Sequence, residues 1–367
     1  MKRPRLLPAS GYGRLLLTSV LAALLLLIAG LVLPVPYVIV SPGPVFNTIG
    51  EYDGQPVIEI SGTRTYPTTG QLNMTTVRER GGPYGPLTAV EAVLAYFDDQ
   101  VAVLPRELLF PAEESAEDSK KESASAFSSS QSNAIAAALR YLKIPVTESV
   151  VVAEVTEDSA NADAVSNGDV IKSFNGKPVT SREQLVADVR ATPVGSTVPA
   201  VVVRDGKDLP VQLKVGANPK NPEWGFLGIS LETSYRGPFE VDFTLDGVGG
   251  PSAGLMFALG TVDQLTPGEL TGGKQIAGTG TIGADGKVGP IGGIRQKMEG
   301  AREDGATLFL APKDNCDEVV GNVPEGLAVA AVADLAGAVA AIDDYRAGRA
   351  LPACPAAAAT PPEESVA

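Results

Sequence analysis

Hydrophobic and polar positions along this chain change rhythm several times, and each rhythm predicts a different kind of element. Leu15 to Leu33 is a run of 19 residues without a charge, which as a helix rising 1.5 Å per residue spans about 28 Å, close to the hydrocarbon thickness of a bilayer. A transmembrane helix is expected at residues 14–34. Lys2, Arg3, Arg5 and Arg14 precede it, whereas the first charges beyond it are Glu51 and Asp53. That asymmetry keeps residues 1–13 in the cytoplasm and places everything after Pro34 outside it. The alternative is a cleaved signal peptide, but the apolar run exceeds the usual signal core and no clear A-x-A cleavage site follows.

Beyond the apolar run, residues 35–146 alternate short strand-like and helix-like patterns. Val57–Ile60 and Gln71–Val77 read as strands separated by a turn-rich loop. Thr88-Ala89-Val90-Glu91 has the form of a capping box opening a helix whose Val90, Val93, Leu94 and Phe97 share one face, expected to be packed. Residues 111–132, rich in Glu, Ser, Lys and Ala with few large apolar residues, read as a mobile loop, followed by an Ala-rich helix at Asn133–Leu142.

Residues 147–217 switch to short strands and dense turns. Gly168-Asp169-Val170-Ile171 leads to Asn175-Gly176, a tight hairpin signal. Thr180 and Glu183 suggest a second capping box before a helix bearing Leu185, Val186 and Val189, and Arg204-Asp205-Gly206 turns a last hairpin. This order resembles a PDZ domain. The resemblance implies a groove between a strand edge and a helix, taking an extended peptide, often a C-terminal tail, as an added strand. A β-rich spacer without ligand is the bland alternative.

Composition narrows the chemistry. A net charge of −14 and a pI near 4.6 exclude a nucleic-acid face. With no histidine and two cysteines, Cys316 and Cys354, a zinc cluster is not expected, nor is any other metal or cofactor. Outside the cytoplasm the two cysteines would be free to pair. Any serine nucleophile in a chain without histidine needs another base. Ser252 lies in Gly249-Gly250-Pro251-Ser252-Ala253-Gly254, where Pro251 suits a first helical turn and the unpaired N–H groups there could receive an oxyanion. Gly249 and Gly250 would let a substrate backbone approach. The bland reading of such a serine is a helix N-cap. Lys297 shares an apolar stripe with Ile294, Met298 and Ala301, so burial would lower its proton affinity toward that of a base useful near neutral pH. A stem packed on the stripe with its amine reaching water is the alternative.

From Gly249 to Val319 the motifs G-P-S-A-G, Ala277-Gly278-Thr279-Gly280, P-I-G-G-I-x-x-K and Ala311-Pro312-Lys313-Asp314-Asn315 together resemble the proteolytic domain of Lon-type Ser-Lys peptidases of family S16. That resemblance implies an α+β fold like ribosomal protein S5 domain 2 over residues 218–347. It also implies Ser252 as nucleophile, Lys297 as general base, Thr279 orienting the lysine, and backbone N–H groups at Gly249, Gly250, Ser252 and Ala253 around the oxyanion. Where many Lon proteins carry an aspartate three positions before the serine, this chain has Gly249. The whole arrangement resembles membrane-anchored, PDZ-bearing Lon-like proteases of Gram-positive bacteria, implying an ATP-independent serine endopeptidase acting on unfolded or PDZ-delivered proteins. Because Lon-type domains often form rings, a homo-oligomer is also implied. The rivals are an inactive membrane-tethered peptide-binding scaffold and an esterase or amidase using the same dyad.

Gly278-Thr279-Gly280-Thr281-Ile282-Gly283 mimics a dinucleotide motif but runs into the hairpin signal Asp285-Gly286. Gly268–Gln275 nearly spells a phosphate loop but has Gln275 where magnesium would need Ser or Thr. Few residues separate the PDZ-like end from Ser252, so the strands and helix of 35–146 are expected to complete the catalytic domain, with the PDZ-like unit inserted. Residues 348–367, rich in Ala and Pro, are expected to be disordered.

Overall fold

The computed structural model describes residues 11–111, 113–156, 158–245 and 247–355. The apolar run forms helix α1 (Gly11–Val32), whose segment Tyr12–Val32 is long and apolar enough to cross a membrane. There follow strands β1 (Tyr37–Asn47), β2 (Ile58–Ser61) and β3 (Gln71–Gly81), helix α2 (Ala89–Tyr96), strand β4 (Ala102–Pro105) and helix α3 (Ala116–Tyr141). Thr88 caps α2 with the reciprocal Glu91 bonds expected of the box. Its apolar face, however, is not packed. Val93, Leu94 and Phe97 are 58, 67 and 78% exposed, while Val90, at the start of the face, lies close to Gly30 of α1.

The expected mobile loop at 111–132 is instead most of α3. Its Ala, Glu, Lys and Ser residues lack apolar bulk, yet Ala, Glu and Lys are strong helix formers. Ser115 accepts from the Asp118 N–H at its N-cap, and Glu117 and Asp118 lie in the first turn, where the helix dipole favours acids. Small residues let α3 lie close to its neighbours, with Phe127, Ala134, Ala137 and Ala138 in the main core.

A second group comprises strands β5 (Thr147–Val155) and β6 (Val170–Phe174), helix α4 (Arg182–Ala191), and strands β7 (Thr197–Arg204), β8 (Lys207–Lys214) and β9 (Ile229–Arg236). They form an antiparallel sheet in the order β8-β7-β6-β5-β9, with Lys177–Pro178 added beside β6. The sheet therefore runs past residue 217, the end expected for the PDZ-like unit. Asn175 (φ 49°) and Gly176 (φ 76°) make the hairpin turn after β6, and Asp205 and Gly206 (φ 51° and 73°) make the one after β7. α4 is capped by Ser181, which accepts from Gln184 N–H, one residue later than the expected Thr180. Thr180 instead donates to the Gln184 side chain. Arg204 grips buried Asp169 with two bonds of 2.8 and 2.7 Å, tying the final hairpin to the G-D-V-I strand and holding the Asp169 carboxyl below its usual range.

The remainder contains strand β10 (Glu240–Phe243), helix α5 (Gly254–Leu265), strands β11 (Gln275–Gly278), β12 (Thr281–Ile282) and β13 (Val288–Gly289), helix α6 (Ile294–Glu303), strand β14 (Leu308–Pro312), helix α7 (Cys316–Val319), strand β15 (Ala328–Val332) and helix α8 (Leu335–Arg346). One six-stranded sheet joins this part to the beginning of the chain, in the order β15-β14-β11-β3-β1-β4. The seam is the parallel pair β11–β3, with Ile276 opposite Leu72 and Gly278 opposite Met74. β2 likewise pairs with β10. Alternation along the strands sends Leu72, Ile276, Leu308 and Leu310 toward α3, α5 and α8 on one face. Ala277, Phe309 and Ala311 face α6 and α7 on the other. The result is a mixed α/β protein.

Residues 348–355 are fixed rather than disordered, because Ala331 N–H donates to Pro352 at 2.7 Å and Cys354 is bonded to Cys316. The expected disorder of 356–367, and residues 1–10 of the segment expected in the cytoplasm, lie outside the described residues. Because β3, β1 and β4 complete the sheet, residues from Asn218 onward should not fold alone. We expect that fragment to melt without a cooperative transition; a sharp calorimetric transition would show that the N-terminal strands are dispensable.

Candidate active site

Ser252 sits in a single 3₁₀ turn, Pro251–Ala253, that runs directly into α5. Gly250 before it has φ 83°, which a side chain would resist. At Gly254 a side chain would meet Ile282 and Ser130 at under 3 Å, so α5 begins only where the chain can press against β12 and α3. The turn is also clamped from α3. Ser130 Oγ donates to the Pro251 carbonyl at 2.9 Å, and Gly250 N–H donates to the Ser123 carbonyl at 2.9 Å.

One sequence expectation changes here. The Gly250 N–H is committed to Ser123 and is not a donor for an oxyanion in this structure. A Cβ at position 249 would collide with Ser123 Oγ, so Gly249 gives α3 its approach, and it also lines the cleft. Ala253 is buried beneath the turn, while Ser252 is half-buried.

Lys297 projects from α6, where Ile294, Met298 and Ala301 are fully buried beside it and Lys297 itself is 3% exposed. The amine does not reach water along its stem. It donates to Thr279 Oγ1 at 3.2 Å, and that hydroxyl donates to the Ser252 carbonyl at 3.1 Å. Since the Thr279 proton is used on Ser252, Thr279 can only accept from the lysine, which turns an amine N–H toward it and leaves the lone pair of a neutral amine free elsewhere. Burial pushes the Lys297 amine from 10.5 down to about 7, partly opposed by the negative charge of Glu79. At about 1.36 kcal/mol per tenfold change in proton affinity, this corresponds to roughly 5 kcal/mol of unfavourable burial for the charged form.

The sequence reading missed Glu79, Ser123, Ser130 and a role for Asn315. Glu79 opens onto the cleft from β3, where its partly desolvated carboxyl is raised and the Lys297 charge pulls it the other way. No local pattern marks it, since only the pairing of β3 with β1 and β11 brings it near α6. Asn315 bonds both the N–H and the carbonyl of Ile291 at 2.9 Å, fixing the loop before α6. Its place in the A-P-K-D-N motif was the available signal.

Ser252, Lys297 and Glu79 line one cleft of about 1340 Å³, together with Gly250, Ile291 and Arg295. That is larger than the enclosed cavities typical for small ligands and suits an extended chain. The dinucleotide-like motif is a hairpin, β12–β13, with Gly286 at φ 84°. Among the described residues, no group of three or more acidic or cysteine side chains is placed to hold a metal.

Residues 247–341 match the family model of the Lon protease (S16) C-terminal proteolytic domain, and residues 126–215 match that of the PDZ domain. Lon protease 2 of Herpetosiphon aurantiacus is 42% identical over 86 residues, 23% of this chain and 10% of that protein. Lon protease 1 of Bacillus subtilis is 38% identical over 78 residues, 21% of this chain and 10% of that protein. The periplasmic serine endoprotease DegP of Escherichia coli is 37% identical over 81 residues, 22% of this chain and 17% of that protein. The match thus spans about a tenth of the length of these Lon relatives. Among solved structures, the PDZ domain of the SdrC-like protein of Listeria monocytogenes is 26% identical, with a TM-score of 0.21, covering 22% of this chain and 85% of that one. Residues 247–341 are thus similar to a Lon-type S16 proteolytic domain and residues 126–215 to a PDZ domain.

Proposed function

We propose that this protein is a membrane-anchored, ATP-independent serine endopeptidase in which Ser252 is the nucleophile and Lys297 the general base, cleaving unfolded or PDZ-delivered proteins outside the cytoplasm. The observation that carries the reading is the dry lysine whose amine is held through Thr279 to the Ser252 turn. Neutral Lys297 takes the Ser252 Oγ proton, the alkoxide attacks the scissile carbonyl, and protonated Lys297 delivers that proton to the leaving amine. Water then hydrolyses the acyl-serine with the same base. The N–H groups of Ser252 and Ala253, in the first turn at the positive end of α5, are the donors best placed for the oxyanion. Peptide delivery would use the outer edge of β9, the last strand of its sheet, with α4 nearby. The anchor reading rests on α1, and the Cys316–Cys354 disulfide suits an oxidising compartment.

Full-length protein in detergent or liposomes should cleave a denatured protein without ATP, and ATP should not accelerate it. Ser252→Ala and Lys297→Ala should each lower kcat/KM by about 10³-fold or more. Cleavage surviving both substitutions would reject the dyad. Absence of cleavage by the unaltered protein in liposomes would favour the inactive scaffold, and turnover of small esters but not proteins would favour the esterase.

The working base is neutral Lys297, so kcat/KM should rise with pH through about 7 and then level. Glu79→Gln removes a charge that favours the ammonium form, and should move that rise to lower pH.

Stability carries the same signature with a defined sign. Between about pH 7 and 10.5 the unfolded chain holds the lysine proton and the native state does not, so native stability rises with pH across that window. Lys297→Met should therefore stabilise the fold most below about pH 7, by up to roughly 5 kcal/mol, with the advantage fading toward pH 10.5. Denaturant melts at several pH values measure it; a pH-independent difference would mean the lysine is not desolvated.

A further inference from the structure

We infer that helix α2 is a second membrane contact, lying in the interface of the bilayer that α1 crosses; this rests on the anchor reading of α1. α2 packs against α1 near its C-terminal end, and a Cβ on Gly30 would come within 3.3 Å of Val90 Cγ2. Gly30 is two residues from the end of α1, about 3 Å of helix rise. α2 is therefore held at the level of the C-terminal end of α1. Beyond Val90 its face is open, with Val93, Leu94, Tyr96 and Phe97 at 58, 67, 76 and 78% exposure.

This face continues the apolar surface of α1, whose Leu31, Val32 and the following Leu33 are 52, 69 and 59% exposed. Monomeric soluble surfaces rarely present such a contiguous apolar patch. Tyr and Phe at its far end are suited to the headgroup boundary, where amphipathic and aromatic side chains concentrate. Glu91, the one charge within the helix, is turned back to Thr88 and Arg80. No basic residue lies within α2, and Asp98 and Asp99 follow it. The contact is thus apolar insertion into a lipid surface and not attraction to anionic headgroups. α2 leads into β4, whose Ala102 and Leu104 line the catalytic cleft, so the contact fixes the cleft close to the membrane.

The test uses full-length protein in phosphatidylcholine liposomes with ordinary or brominated acyl chains, in a Trp224→Phe background. Phe97→Trp reports on α2 and Leu24→Trp reports on α1. Both reporters should lose most of their emission to brominated lipid, and the loss at position 97 should be unchanged by high salt. Quenching at position 24 alone would overturn the α2 contact while leaving the anchor standing. A blue-shifted but unquenched reporter at position 97 would mean that protein, a second copy or a partner, covers the face, which also overturns the inference. Quenching at neither position would remove the anchor and the inference together. Quenching at position 97 that disappears in high salt would replace apolar insertion by electrostatic attachment.

Discussion

The amine of Lys297 is buried almost completely, and the rest of the structure is arranged so that this costly placement holds. An ammonium group in a dry site is unfavourable by several kcal/mol, so the site keeps its form only if every wall is supplied by well-packed structure. α6 supplies the apolar stripe around the lysine stem, and β11 leads to Thr279, the bonded partner of the amine. The strands of the first segment close the far side. Val77 of β3 and Val40 of β1 lie against Gly293 at the start of α6, and Pro42 lies against Gly300 within it. A chain lacking those strands would leave the lysine wet, and a wet lysine is a cation near neutral pH.

α3 gives the opposite side of the cleft its form and also joins the two sheets. Ser123 and Ser130 hold the turn that carries Ser252. From the same helix, Ser129 donates to Glu232 and Ser132 accepts from Tyr235 N–H, both in β9. The last strand of the second sheet and the turn that carries Ser252 are thus fastened to one helix. Its many serines and alanines are what permit this, since larger side chains would hold α3 away from the glycines at 249 and 254.

Much of the site was legible in local sequence. The i, i+3, i+4, i+7 stripe placed Lys297 inside, Pro251 marked the helix start behind Ser252, and the capping box at Thr88 formed as written. The expected loop at 111–132 failed because low apolar bulk was read as mobility, whereas small helix-forming residues also suit a helix packed closely on glycine. The second expected capping box did not form, because Ser181 took the cap one residue later while Thr180 bonded the Gln184 side chain. The apolar face of α2 was read correctly as a face but assigned to the protein interior, since periodicity reports a preference for apolar surroundings and not what supplies them.

By itself the sequence determined the residue chemistry: a serine without histidine, a lysine on an apolar stripe, a threonine between glycines, turn residues at each hairpin and an uncharged helix long enough for a bilayer. These follow from short-range rules that act within a few residues. Tertiary structure alone decided that β3 pairs with β11 across about two hundred residues of chain, that Glu79 faces the cleft, that Gly250 spends its N–H on Ser123, and that Cys316 meets Cys354. Each depends on contacts between segments far apart in sequence, and no local pattern encodes which distant surface will complete a site.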